Sequence, residues 1–154
     1  MNKNALYHTT AKNTYEEYKK YILEFNKKRM ILTIVLLDLF FVFIAVFTKQ
    51  ILFYVAALIV PVIEYFSLVR PMKKVYYSNK LAVDAVLEYD FYDTYFTKKS
   101  VAGEDKIEYN KLLKIVETKT NFYLMIAINQ GYMLKKSEMP EGMDDFIRSI
   151  NIKG

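Results

Sequence analysis

Apolar residues run almost without interruption from Met30 to Val69, with Asp38, Lys49 and Glu64 as the only charges in that stretch. A soluble core seldom concentrates its apolar residues so heavily in one block. Thr48-Lys49-Gln50 is the single polar break. It separates Met30 to Phe47, 18 residues or roughly 27 Å of helix, from Ile51 to Val69, 19 residues or roughly 28 Å. Each segment just spans a bilayer core of about 30 Å. One unbroken helix would bury Lys49 in lipid, so the pattern predicts two transmembrane helices joined by a tight turn.

The pattern changes on both sides of this block. Ala5 to Thr9 alternates weakly and predicts a short strand that needs a sheet elsewhere. Thr14 to Glu17 fits a capping box, after which Tyr15, Tyr18, Ile22 and Phe25 share one helical face, with Lys19, Lys20 and Lys27 opposite. This basic amphipathic helix is expected to lie on a membrane surface or to cover a sheet. Beyond the block, Pro71 is expected to end or bend the second helix, and Lys73 to Asn79, with Tyr76-Tyr77, to form an interfacial connector.

From residue 86 the period becomes that of strands. Val86 to Phe91, Thr94 to Ser100, Lys106 to Tyr109, Leu113 to Lys119, Phe122 to Ile128 and Tyr132 to Lys135 are expected strands, with turns at Tyr92-Asp93, Ala102 to Glu104 and Asn129 to Gly131. Met143, Phe146, Ile147 and Ile150 then form one stripe of a terminal helix, which an antiparallel sheet would bury. The expected class is an α+β membrane protein. It has three parts: residues 1–29, a strand and amphipathic helix; 30–70, the transmembrane hairpin; and 81–154, a cytoplasmic antiparallel sheet domain with a C-terminal helix.

Charge orients the hairpin. Lys27, Lys28 and Arg29 precede the first apolar segment and Arg70, Lys73 and Lys74 follow the second, against Lys49 alone in the turn. By the positive-inside rule both termini are expected in the cytoplasm, which places the chain in the cell (plasma) membrane as a multi-pass protein. The net charge of +5 sits at the ends of the apolar block rather than on one soluble face. Anionic lipid is therefore a nearer partner for those six residues than nucleic acid, which is not expected. The block starts too far in, runs too long and lacks the small-residue site of a cleavable signal. Cysteine is absent, which removes disulfides, thiolate metal sites and cysteine nucleophiles.

Candidate chemistry is sparse. Asp38 and Glu64 are ionisable groups at membrane depth, where each costs several kcal/mol by most estimates and is a functional candidate by default. In an antiparallel hairpin the two could approach within a turn, as a polar contact that locks helix pairing or as a proton or cation site in an oligomer. His8 is the only histidine, so a histidine zinc site or a catalytic triad cannot be assembled, and an ordinary surface or sheet role is expected. Asp144-Asp145 suits a helix N-terminus, where the macrodipole favours acid. Tyr54, Tyr65, Tyr76 and Tyr77 suit interfacial anchoring, and Tyr89, Tyr109 and Tyr123 suit strand pairing. There is no phosphate loop, nucleophile elbow or kinase signature, so no catalytic residue, metal or cofactor is expected and the chain reads as non-enzymatic.

Ile107-Glu108-Tyr109, Leu112 to Thr118, Asn121 to Leu124 and Gly131 to Lys136 together resemble the YcxB-like family of small bacterial membrane proteins. The resemblance implies a two-span anchor carrying a sheet-plus-helix domain similar to the pleckstrin-homology fold, in a family whose activity is largely unassigned. It does not bring phosphoinositide binding with it, because fold does not fix function. The leading expectation is a membrane-anchored binding or scaffold protein that presents its sheet domain to a protein or lipid partner. The alternative is an accessory or regulatory subunit of a membrane transport complex in which Asp38 and Glu64 contact partner helices, or a homo-oligomer.

Overall fold

The computed structural model describes residues 5–128 and 130–152. The chain divides into two compact units, residues 15–83 and a sheet unit formed by 1–14 together with 84–154.

The first unit is a pair of helices, α1 (Tyr15–Thr48) and α2 (Ile51–Ser78). Their 34 and 28 residues give roughly 51 Å and 42 Å of length, and both are long and apolar enough to cross a membrane. Lys49 reverses the chain between them in a left-handed conformation (φ 53°), doing without glycine at a cost of about 1–2 kcal/mol. Almost all the apolar surface is uncovered: Leu58 is 79% exposed and Phe47 73%, unlike the core helix of a soluble protein. Only a narrow stripe faces inward, centred on Ala45 and Val60.

Two expectations are corrected here. The segment from Tyr15 to Phe25 is not a separate surface helix, because α1 continues through it into the apolar stretch. Nothing between Tyr15 and Thr48 breaks a helix: there is no glycine or proline, and Lys27, Lys28 and Arg29 are good helix formers. Nor does Pro71 end α2, which runs on to Ser78. The lost backbone hydrogen bond is offset by packing beyond it. Met72 and Tyr76 are buried, and the Tyr76 ring lies 5.6 Å from both Tyr15 and Tyr18 of α1.

The sheet unit contains β1 (Tyr7–Lys12), β2 (Val86–Phe91), β3 (Tyr95–Ser100) and β4 (Gly103–Glu108) in a four-stranded antiparallel meander. A second antiparallel sheet holds β5 (Lys114–Glu117), β6 (Asn121–Ala127) and β7 (Gln130–Lys135), and α3 (Met143–Ser149) closes the unit. The expected strands and terminal helix therefore exist, with ends that coincide or shift by up to three residues. The strand expected at Ala5 to Thr9 is β1, and its sheet partner is β2, in register Tyr7↔Phe91 through Lys12↔Val86. Asn13 N–H donates to the Ala85 carbonyl at 2.9 Å, so the whole helical unit enters the chain at what is otherwise the turn of a β1–β2 hairpin.

Alternation builds the core. Tyr89 and Phe91 of β2, Phe96 of β3 and Ile107 of β4 point to one side and meet Phe122, Leu124 and Leu134 of the second sheet and Met143 and Ile147 of α3. Phe96, fully buried, has its ring 5.3 Å from both Phe91 and Tyr132. β6 is the central strand of its sheet, and Asn121 to Met125 are all buried, which is why it reads as a continuous apolar run rather than an alternating one. Gly142 begins α3 with φ 79°, a conformation that favours glycine.

An ion cluster ties the second sheet to α3. Arg148 donates to Glu117 at 2.8 and 3.1 Å, and Lys136 donates to the same carboxylate at 2.6 Å. Arg148 also reaches Asp145 (2.7 Å) and Asp144 (3.2 Å), so those acids serve a guanidinium as well as a helix dipole. The hydrogen bonds from Arg148, then from Lys136, hold the Glu117 carboxyl down at about 2 against an ordinary 4.5. A depressed folded pKa stabilises the native state above the ordinary value, and that contribution fades as pH falls toward the folded one. In urea titrations of the full chain in detergent micelles, wild type is expected to lose stability between pH 4.5 and about 2. Glu117→Gln should be less stable at neutral pH and flatter through that window.

Candidate functional site

In the helical unit, Asp38 and Glu64 both take half-buried positions on their helices. Asp38 Oδ1 is buried without a hydrogen-bond partner among the described residues. Glu64 lines a cavity of about 350 Å³ between α1 and α2, shared with Asn26, Arg29 and Thr33 of α1 and Ser67 of α2. Asp38 is not among its lining residues. The structure thus brings Glu64 together with Arg29, a residue that the sequence pattern assigns only to the basic collar.

Those collar residues, Lys27, Lys28, Arg29, Arg70, Lys73 and Lys74, are all exposed. Lys27 pairs with Glu24 one turn earlier at 2.5 Å, and the Arg70 guanidinium lies 5.5 Å from the centre of the Phe66 ring. Surface pairs of this kind contribute little to stability, and they leave the charges of the collar exposed to solvent.

In the sheet unit, an open groove of about 450 Å³ runs between the β3–β4 end of the first sheet and α3. Asp93, Thr94, Lys106, Glu108 and Asn110 supply its polar groups, and Tyr95, Tyr109 and Phe146 its aromatic walls. The Lys106 ammonium sits 4.0 Å from the centre of the Tyr95 ring, a cation–π contact. Tyr109 donates its hydroxyl to the Tyr92 carbonyl at 2.7 Å, and burial pushes its pKa up, so it stays a neutral donor. The groove is assembled from residues far apart in sequence, and no local spacing announces it. The one signal available was the crowding of aromatics with acids near Tyr92 and Tyr109.

His8 sits on β1 directly opposite Asp90 of β2, with Nδ1 2.7 Å from Oδ1, an exposed cross-strand pair. Among the described residues no group of three or more histidine, aspartate or glutamate side chains is arranged to hold a metal ion.

Residues 91–150 match the family model of the YcxB-like protein, a segment that contains the lining of the groove except Asn151. No curated protein matches the chain, and no solved structure does.

Proposed function

Since residues 91–150 are a YcxB-like domain, we propose that this protein is a non-enzymatic membrane anchor that presents its sheet unit, on the cytoplasmic side, to a protein partner. In this reading α1 and α2 cross the membrane as a hairpin. Support comes from their uncovered apolar faces and from a collar of six cations at one end against Lys49 at the other. The sheet unit takes a pleckstrin-homology-like fold, a reading supported by antiparallel sheets of four and three strands followed by a terminal helix.

The observation that carries the choice of partner is the charge of the groove. Asp93 and Glu108 line it without an ion pair, two carboxylates against the single ammonium of Lys106, which lies over the Tyr95 ring. An excess of carboxylate beside aromatic walls favours a polypeptide that offers a lysine or arginine next to an apolar residue over the phosphate of a lipid headgroup. The test is a photo-crosslinking amino acid placed at Asn110, in the groove, and at Lys119, exposed and outside it, in the full chain in its native membrane. A discrete protein adduct at Asn110 that disappears with Asp93→Asn and Glu108→Gln is expected. Adducts of equal yield at both positions, or lipid adducts alone, would contradict the proposal.

A further inference from the structure

The cavity between α1 and α2 pairs two opposite charges without letting them meet. Arg29 and Glu64 face it from different helices, yet they do not come within ion-pair distance of each other. Neither forms an ion pair with any other described residue. Opposite charges that line one cavity and leave it open are a recognition arrangement, since closing the gap would gain a charge-assisted hydrogen bond.

The remaining polar groups narrow the ligand. Asn26 donates its amide to the Ile22 backbone carbonyl at 2.8 Å, Thr33 its hydroxyl to the Arg29 backbone carbonyl at 3.0 Å, and Ser67 its hydroxyl to the Glu64 backbone carbonyl at 2.8 Å. Each donates within its own helix, and its side-chain oxygen keeps lone pairs. The cavity therefore offers one charged fork of donors, the Arg29 guanidinium, a second N–H of the Asn26 amide, and otherwise a carboxylate and acceptor oxygens. A phosphate suits the donors. A group rich in N–H donors and positively charged suits the carboxylate and acceptors, and a primary ammonium supplies three such donors.

We propose that this cavity binds the zwitterionic headgroup of an aminophospholipid, phosphate on Arg29 and ammonium on Glu64. The inference rests on the membrane reading above, in which Arg29, immediately before the apolar Met30, lies at headgroup depth. A volume of about 350 Å³ is enough to seat a headgroup. A phosphocholine headgroup keeps the cation but lacks the N–H donors, and a phosphoglycerol headgroup offers hydroxyl donors without the cation, so each answers Glu64 only in part.

The test uses the full chain, purified in mild detergent, stripped of lipid and titrated with phosphatidylethanolamine, phosphatidylcholine or phosphatidylglycerol under native mass spectrometry. Wild type is expected to retain phosphatidylethanolamine roughly tenfold better than either other lipid. Glu64→Gln should erase that preference, Arg29→Gln should weaken all three, and Lys28→Gln, outside the cavity, should change nothing. Equal retention of the three lipids by wild type would overturn the inference without any variant having to fold. So would a preference that survives Glu64→Gln, or displacement by water-soluble glycerophosphoethanolamine at equal concentration. Extraction of the chain from membranes by alkaline carbonate would instead overturn the membrane reading on which this rests, so the two failures are distinguishable.

Discussion

Replacing residues 14–84 with Asn-Gly is expected to yield a soluble, strand-rich domain that folds without detergent. Asn13 and Ala85 are already hydrogen-bonded neighbours at 2.9 Å, and the strands beyond them pair antiparallel from Lys12↔Val86 onward. A two-residue Asn-Gly turn closes such a pair with the twist that flanking strands require. A fragment of residues 81–154 should behave differently, because it lacks β1. Its β2 edge would be left unpaired and the core opened where Ala11 now lies buried, and Thr9 Oγ1 would no longer donate to the Glu138 carbonyl at 2.7 Å. An open apolar edge is a site of aggregation. Size-exclusion chromatography and far-ultraviolet circular dichroism of the two proteins decide the matter. A monomeric and cooperatively unfolding 81–154 fragment would show that β1 is dispensable.

The second large effect lies in the core. Phe96→Ala is expected to cost about 3–5 kcal/mol, because it empties a fully buried ring site whose neighbours Phe91, Tyr109 and Tyr132 are themselves held in place. Against the 5–15 kcal/mol typical of a whole domain, that approaches unfolding. Tyr89→Phe should move the other way. The Tyr89 side chain is fully buried, and its hydroxyl has no hydrogen-bond partner among the described residues. An unanswered buried hydroxyl costs about 1–3 kcal/mol, so its removal should leave the domain as stable or more so. Denaturant midpoints of the full chain in micelles, read by tyrosine near-ultraviolet circular dichroism, give both values. A Phe96→Ala midpoint close to that of wild type, or a Tyr89→Phe loss as large as that of Phe96→Ala, would mean that the aromatic cluster is not the seat of the core.

What the sequence made legible was what repeats locally. Two apolar stretches around Lys49, alternation in Val86 to Phe91 and the stripe of Met143, Phe146 and Ile147 each carry their own period, and each became the expected element. The boundaries that were missed had weak local signals overridden by packing. α1 passes through the cationic run at Lys27 because nothing there breaks a helix, and α2 passes Pro71 because Tyr76 lands on Tyr15 and Tyr18. Pairing across the insertion was invisible, since β1 and β2 are separated by the entire helical unit. The candidate sites were legible only in part. Glu64 stood out as a buried charge, but that it shares a cavity with Arg29 depends on helix rotation, which residue spacing along a long hairpin does not fix closely.

Both proposals require that α1 and α2 cross a bilayer with both chain ends on one side. The absence of cysteine makes this directly measurable, since any introduced thiol is unique. Gln50→Cys at the turn and Ser137→Cys in the sheet unit, both exposed, would be challenged in intact cells with a membrane-impermeant maleimide. Labelling of Gln50→Cys from outside is expected, and labelling of Ser137→Cys only after the membrane is disrupted; labelling of Ser137→Cys in intact cells would contradict the hairpin topology.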